Sequence, residues 1–343
     1  MLAIGAICLG ATAATAKTYC VHTAAELQAA LTDAGSSGTA SNQDNTVRIA
    51  PGTFTTSGAA FSFGSLSGFS LTLEGGYNSA CSSQDATPGV SVLDGGNLTQ
   101  VLSIQSKGDI TIRHLTIQNA LYNGSAGGGA AIAMNGAAPA TLAIFDSNVV
   151  RNNVDGFASG GLTVFGLGTV HIENNLFTGN SSPAAAAFST SMNDGSTIYI
   201  TNNTISANTN TGSNNMITAI GGGGAIGHVS NTVSYGNHGT GAYDFYLYGF
   251  EQVDFVHDAY TSITGATAPG SSGNLIGTDP QFVAADNFHL RSTSPLLRAG
   301  TLTPAGGLPV VDLEGNPRSV AGFVDIGAYE DTDVIFANGF DPG

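Results

Sequence analysis

The sequence has little positive charge. Its 343 residues include only 8 Lys and Arg against 24 Asp and Glu, which gives a formal net charge of −16. A nucleic-acid-binding protein needs a basic stripe that neutralises phosphates. The composition therefore excludes nucleic acid as a partner. It also argues against tight capture of polyanions, except at a local arginine cluster.

Charge of either sign is scarce, because charged residues make up only 9% of the chain. Solubility must then come largely from Asn, Ser and Thr. The sequence also contains 48 Gly. Such a composition is typical of a β-rich, turn-rich extracellular protein and unlike that of a helical cytosolic one.

Long hydrophobic runs are missing beyond the first residues, so we predict no transmembrane span. Residues 2–16 have the character of a secretory hydrophobic region that ends in small residues, Ala14-Thr15-Ala16. The segment is too short for a stable membrane span. We predict a signal peptide over residues 1–16 and a secreted or cell-surface location for the rest.

Cysteine is also scarce, with three in the whole chain. Cys8 lies within the predicted signal peptide, which leaves Cys20 and Cys81. An even pair in an exported chain predicts a disulfide. Closing a loop of this length contributes roughly 4 kcal/mol in the chain-entropy model. The seven His show no zinc spacing, and we predict no metal site.

The sequence is rich in one repeated six-residue phrase. Its five copies span 112–117, 145–150, 172–177, 200–205 and 228–233. The fourth positions are Leu115, Asn148, Asn175, Asn203 and Asn231, separated by 33, 27, 28 and 28 residues. Apolar residues occupy the first and sixth positions, except for a His in the last copy. Asn tolerates the left-handed conformation of a tight bend. The pattern predicts two short strands that meet at an Asn bend, repeated in every coil of a solenoid.

A capping box, Thr23-Ala-Ala-Glu26, begins a predicted helix from Ala24 to Asp33. A strand follows at 47–50. A solenoid needs such a terminal cap, because its first coil would otherwise expose core and an unpaired strand edge. We divide the chain into a signal peptide (1–16), an N-terminal cap (17–60), a parallel β-helix (61–330) and a C-terminal tail (331–343).

Several segments resemble known β-helix proteins. The helix with 47–54 resembles the entry cap of pectate-lyase-like right-handed β-helix proteins. The segments 73–81, 274–282, 288–300, 312–318 and 324–330 look like those of the choice-of-anchor Q β-helix proteins, and 333–341 resembles short tails of exported proteins. The resemblance implies an all-β, single-stranded right-handed parallel β-helix that is bacterial and exported. It is nearly silent on activity, because this fold hosts enzymes, adhesins and inert stalks alike.

Enzymes of this superfamily have their active cleft on outward residues of the stacked strands. The charged outward candidates here are Arg113, Asp146, Arg151 and Glu173. Two carboxylates about one coil apart would suit retaining glycoside hydrolysis. In a lyase, a carboxylate would help to bind Ca²⁺ while an arginine removes the α-proton, although the pKa of arginine is normally too high for that role.

A structural role competes with this catalytic hypothesis. Acid and Arg on adjacent outward positions usually form a surface ion-pair ladder worth under about 1 kcal/mol. The Asn-Thr-Asp, Asp-Asp and Gly-His-Gly set of polygalacturonases is missing. The nearest match is Gly227-His228-Val229, and its His228 is predicted to lie at an inward position.

Aromatic residues provide the candidate binding site. His171 and Tyr199 each stand just before the first position of a phrase, and Tyr243, Tyr246 and Tyr248 belong to an aromatic strand. Alternation along a strand places about half of its side chains inside. We therefore expect one face of this strand, at most, to offer a platform for sugar stacking.

The preferred interpretation is a non-catalytic secreted or cell-surface protein that binds carbohydrate or builds surface structure. It needs no cofactor. The alternative is a polysaccharide lyase or glycoside hydrolase, with Ca²⁺ in the case of a lyase. A third interpretation is a self-assembling extracellular element, because end-to-end stacking is open to a β-helix with a thin cap.

Overall fold

The computed structural model describes residues 16–136, 141–213, 215–249 and 252–332. The predicted signal peptide, apart from Ala16, and residues 333–343 of the predicted tail lie outside the described residues. The described chain winds as a parallel β-solenoid, in which each coil adds one strand to each of three long sheets. The predicted all-β parallel β-helix is therefore confirmed.

The three long sheets run side by side along the solenoid. Sheet A consists of Lys17–Val21, Asn45–Ile49, Leu71–Glu74, Ile110–Arg113, Thr141–Asp146, Gly168–Glu173, Thr197–Thr201, Ile226–Ser230 and Gln252–Val256. Sheet B consists of Gly52–Thr55, Ser91–Asp94, Thr116–Gln118, Val149–Arg151, Leu176–Thr178, Thr204–Ser206, Val233–Tyr235, Ala259–Tyr260 and Leu275–Ile276. Sheet C consists of Phe61–Gly64, Leu102–Ser106, Ala130–Met134, Leu162–Gly166, Ala185–Met192, Met216–Gly222, Tyr243–Tyr248 and Ile263–Thr264.

Two smaller sheets complete the strands. A corner sheet between sheets B and C consists of Leu121–Tyr122, Val154–Asp155, Ser181–Ser182 and Thr209–Asn210. After the last coil, Phe282–Ala284 and Asn287–Leu290 pair as an antiparallel hairpin instead of continuing the parallel winding. The solenoid therefore ends before the hairpin.

The core is built by inward side chains that stack in register from coil to coil. On sheet A one such column contains Ile112, Phe145, Ile172, Ile200, Val229 and Phe255, all essentially buried. Alternation along each strand places apolar residues inside and polar ones outside. Because adjacent coils share one hydrophobic interior, the coils stabilise each other in series.

The bend between sheets A and B carries a buried ladder of asparagines. The Asn148 Nδ2–H donates to Asn175 Oδ1 at 3.2 Å, and the Asn175 Nδ2–H donates to Asn203 Oδ1 at 3.0 Å. The next rung is Thr232, whose Oγ1 accepts from the Asn203 N–H at 3.3 Å. The predicted rung Asn231 was wrong: that residue aligns with Asn202, and both have a positive φ.

A second asparagine ladder, which was not predicted from the sequence, lies at the bend after sheet B. Its rungs are Asn153, Asn180, Asn208 and Asn237, joined by three side-chain hydrogen bonds of 3.0 Å each. Each rung follows a rung of the first ladder by five residues. The constant offset was visible in the sequence, and it would have predicted both bends of every coil.

The first ladder continues into a buried acid, Asp258. The Thr232 N–H donates to Asp258 Oδ1 at 2.8 Å, while Asp258 Oδ2 has no hydrogen-bond partner among the described residues. Complete burial raises the pKa of Asp258 well above its ordinary value. The carboxyl group thus occupies a position that suits a neutral amide.

Replacing Asp258 with Asn is expected to raise the free energy of unfolding by about 1–3 kcal/mol at neutral pH, since it removes an unsatisfied buried group. The folded pKa exceeds the unfolded one, so the contribution of Asp258 to stability falls as pH rises between the two values. D258N should abolish that part of the pH dependence. Urea unfolding across this pH range measures it, with exposed Asp286→Asn as the control. Equal pH profiles for wild type and D258N would contradict the argument.

The N-terminal cap has the predicted form. The helix spans Ala24–Ala34, and the Thr23 hydroxyl accepts from the Glu26 N–H at 3.2 Å. Leu27 and Leu31 of this helix are fully buried against the first coils. The predicted disulfide between Cys20 and Cys81 is present and ties strand Lys17–Val21 to the loop after Leu71–Glu74. Among the described residues, no helix has the length and hydrophobicity that crossing a bilayer requires.

The C-terminal arm, residues 291–331, turns back along the outside of the solenoid. Near its start, Leu296 packs with Val233 of sheet B, and farther on Leu313 is clustered with Val149 and Leu176 of earlier coils. Its backbone also bonds to the left-handed bend residues, because the Asn174 Nδ2–H donates to the Val311 carbonyl at 3.0 Å. The arm therefore covers the bend between sheets A and B over several coils.

Candidate functional site

Three of the four charged candidates lie side by side on the outer face of sheet A. Arg113, Asp146 and Glu173 occupy the same position of three neighbouring strands. Arg151 belongs to sheet B beyond the bend, where it is exposed and its Nε–H donates to Gln118 Oε1 at 2.8 Å. The structure thus brings the two carboxylates and one arginine together, and it leaves Arg151 elsewhere.

Arg113 is engaged in an ion-pair ladder toward the N-terminal coils. Its Nη2–H donates to Glu74 Oε2 at 2.7 Å, and Arg48 lies 3.4 Å from the other carboxylate oxygen. The Tyr77 hydroxyl donates to the same Glu74 at 2.5 Å. Glu74 is almost completely buried. The guanidinium of Arg113 therefore pairs with Glu74, to which both its Nε–H and its Nη2–H donate.

The two carboxylates also have partners. Asp146 accepts from the Ser147 hydroxyl at 2.9 Å and from the Asn174 Nδ2–H at 3.2 Å, and burial raises its pKa. Glu173 is hydrogen-bonded to Nδ1 of His171. A carboxyl group whose pKa is raised, as that of Asp146 is, suits a general acid. Here, however, Asn174 also bonds to the C-terminal arm, so the arm closes in on Asp146.

An aromatic row lies beside the charged residues on sheet A. The ring centroids of His171 and Tyr199 are 4.7 Å apart, and those of Tyr199 and His228 are 5.3 Å apart. His228 Nδ1 is 2.7 Å from Asp254 Oδ1. The prediction that His228 points inward was wrong, because Val229 pairs with inward Ile200 and places His228 outside, opposite Tyr199.

The C-terminal arm covers this row as well. A Cβ on Gly306 would overlap the ring of Tyr199, so the arm backbone lies directly on that ring. The arm is anchored nearby at Asn231, whose Oδ1 accepts from the Thr301 N–H at 2.7 Å. The outer face of sheet A is therefore a charged surface that the chain partly closes with its own arm.

The arm itself is held by a buried arginine, Arg318. Its guanidinium donates to Asn174 Oδ1 at 2.6 Å and to the backbone carbonyls of Gly327 and Ala328. Glu330 lies 3.6 Å from it. Burial, and after it the charge of Asp325, raises the pKa of Glu330 to about 8. The arm is thus fixed to the solenoid through a cluster of buried charges.

The outer face of sheet C carries a different kind of site. In strand Tyr243–Tyr248, Phe245 and Leu247 are buried in the core, whereas Tyr246 and Tyr248 stand on the outer face with ring centroids 6.0 Å apart. Tyr243, at the start of the strand, is exposed. The side chains of this aromatic strand therefore divide into a buried set and an outer set, as alternation along the strand predicts.

The two tyrosines border the tyrosine groove, a cavity of about 340 Å³. Small residues form the rest of its lining, namely Ala158, Ser159, Ala184, Ala185, Ser189 and Ala219, together with Met216. Such a shallow site with an aromatic side and a few hydroxyl groups is typical of a small-ligand or sugar site. Tyr243 is not part of the lining.

Tyr248 is held in place by its neighbours. A Cβ on Gly221 would overlap its ring, so the ring crosses strand Met216–Gly222 at the only kind of residue that leaves room. Its hydroxyl donates to the Thr190 carbonyl at 3.1 Å, one strand farther. The ring is therefore fixed before any ligand arrives, which lowers the entropic cost of binding.

These observations define a parallel β-helix protein with one charged face, partly closed by its own arm, and one face with an open tyrosine groove. Among solved structures, the chain is similar to one titled "Crystal structure of pectate lyase Pel9A", with a TM-score of 0.39 and 16% sequence identity. The match covers 92% of this chain and 96% of that chain. No family model matches the sequence, and a comparison with curated proteins finds no match. The likeness concerns the fold alone.

Proposed function

We propose that this chain is an exported, non-catalytic β-helix protein that binds a polysaccharide in the tyrosine groove. The observation that carries the proposal is the fixed ring of Tyr248 beside Tyr246, on a face of small residues. The apolar C–H face of a sugar ring packs on an aromatic ring, while hydroxyl groups of the sugar bond to serines nearby. The groove offers both partners.

Export and family membership belong to the same proposal. The disulfide between Cys20 and Cys81 is consistent with an oxidising, extracellular location. The sequence segments that look like choice-of-anchor Q proteins support a cell-surface or secreted role. Self-association is the remaining alternative for a structural role, and sedimentation at high concentration would detect it.

A polysaccharide lyase or glycoside hydrolase on sheet A is the second candidate. The adjacent carboxylates of Asp146 and Glu173 favour it, as does the raised pKa of Asp146. Against it stand the pairing of Arg113 with Glu74 and the arm that lies on Tyr199. Reducing-end and unsaturated-product assays over a polysaccharide panel, with and without Ca²⁺, separate the two. Robust activity that is lost in Glu173→Gln would overturn the non-catalytic proposal.

Replacing Tyr248 with Ala is expected to weaken glycan binding about tenfold, the effect of losing about 1.4 kcal/mol of stacking. The matched control is Tyr243→Ala, which removes an exposed tyrosine of the same strand outside the groove. Affinity electrophoresis or calorimetry with glycans that bind the wild type measures both. Equal losses in the two variants would count against the groove, and a glycan array without any binding would count against the function.

A further inference from the structure

The outer face of sheet C lacks charge in the part of the chain that the structure describes. Its outward positions form two columns that run across the strands. One column contains Ser62, Ser103, Ala131, Thr163, Ser189, Ala219, Tyr246 and Thr264, and the other contains Gly64, Gln105, Ala133, Phe165, Ser191, Gly221 and Tyr248. On a chain of net charge −16, this surface is therefore built from small, hydroxyl and aromatic residues and one amide, that of Gln105.

The outer face of sheet A shows the opposite composition. Its strands carry Arg48, Glu74, Arg113, Asp146 and Glu173 at one outward position. The same solenoid thus separates its charges onto one face and keeps the other face neutral. In both sheets the inward side chains of each strand fill the same hydrophobic core, and only the outward side chains differ. Packing of the core therefore does not require the difference in charge between the two outer faces.

We infer that the polysaccharide bound in the tyrosine groove is an uncharged one, an inference that rests on the proposed function. An anionic glycan needs arginine or lysine to pair with its carboxylates, or a cation bridged by protein carboxylates. The two columns offer neither. The net charge of −16 would in addition repel a polyanion at low ionic strength.

The outer face of sheet C offers a neutral glycan both stacking surfaces and hydrogen-bonding groups. The fixed ring of Tyr248 and the tilted ring of Tyr246 supply stacking surfaces. The hydroxyl groups of Ser159 and Ser189 lie 2.5 Å apart at the groove and supply hydrogen bonds that require no charge. Binding of this kind gains nothing from long-range electrostatics, so we expect it to depend little on salt.

The test measures affinity for oligosaccharides of one length. Neutral probes are built from glucose, mannose or xylose, and anionic probes from galacturonic or mannuronic acid. We expect at least one neutral probe to bind about tenfold more tightly than every anionic probe. Its affinity should change less than about twofold between ~0.01 and ~1 M salt, a range that shortens the Debye length from about 30 Å to about 3 Å.

Gly221→Ala provides the matched variant, because the added methyl group displaces the Tyr248 ring and deletes no aromatic group. We expect it to weaken neutral binding about as much as Tyr248→Ala, roughly tenfold. Preference for an anionic probe, with affinity that falls steeply with salt, would overturn the inference and leave the proposed function intact. If a neutral probe binds and neither Gly221→Ala nor Tyr248→Ala changes its affinity, the tyrosine groove is not the binding site. No binding by any probe would overturn both.

Discussion

Replacing Arg318 with Leu is expected to lower the free energy of unfolding by about 3–5 kcal/mol, the usual effect of removing one partner from a buried ion pair. Arg318 is completely buried, and its guanidinium bonds to Asn174 on the solenoid and to two carbonyls of the arm. Without it, the buried acidic side chains of Asp312, Asp325 and Glu330 lose the cation that faces them. The arm should then detach before the solenoid unfolds.

Trypsin offers a sharp readout of arm detachment. The chain has only 8 Lys and Arg, and three of them, Arg291, Arg298 and Arg318, belong to the arm. In R318L we expect fast cleavage at Arg298 under conditions that leave the wild type intact. The control is Arg151→Leu, an exposed arginine on sheet B whose loss should change stability by less than about 0.5 kcal/mol. Equal urea midpoints for R318L and wild type, with the arm protected in both, would refute the argument.

Replacing Cys20 and Cys81 with Ser is expected to lower the free energy of unfolding by about 4 kcal/mol, because the disulfide closes a loop with a sequence separation of 61 residues. The loss should appear first in the N-terminal cap, since Cys20 lies in its first strand. Exposure of the first coil edge would follow. Denaturant unfolding of oxidised, reduced and C20S/C81S protein measures the effect.

The reduced wild type serves as the control for the double variant. Both lack the covalent bond, so both should show the same loss if the bond itself is responsible. Mass spectrometry under non-reducing conditions checks the premise. Two unmodified thiols at Cys20 and Cys81 in the folded protein would contradict the prediction.

The fold was predictable because its determinants are local and repeated. Alternation of apolar residues at positions such as Ile172 and Ile200 requires only the period of a strand. The Asn bends at Asn148, Asn175 and Asn203 repeat at a nearly constant spacing, which predicts stacked coils. The capping box at Thr23 is likewise a short-range pattern.

The predicted strand register was wrong in the coil that is one residue longer than the coil before it. The step from Asn203 to its next rung, Thr232, is 29 residues, but Asn231 imitates the phrase at 28. A shift by one residue exchanges the inner and outer faces of a strand. That exchange is why His228 was assigned to the interior although it lies outside, against Tyr199.

For the candidate sites too, some features were predictable from the sequence and others were not. Alternation in strand Tyr243–Tyr248 was enough to expect an outer aromatic set, and Tyr246 and Tyr248 form it. The sequence contains no local signal that Tyr248 crosses Gly221 to reach Thr190, which is 58 residues away. The sequence likewise has no signal that Arg113 pairs with Glu74, because such pairs depend on which coils become neighbours.

The sequence alone determined the class of fold, the composition of the core, the terminal cap and the cysteine pair. These follow from periodicity, capping and residue counts, which act within one or two coils. Tertiary structure decided which outer face stays open. The arm closes on sheet A because Arg318 reaches Asn174 across 144 residues, and sheet C keeps its tyrosine groove. Contacts over such separations depend on the finished solenoid, and no short-range pattern encodes them.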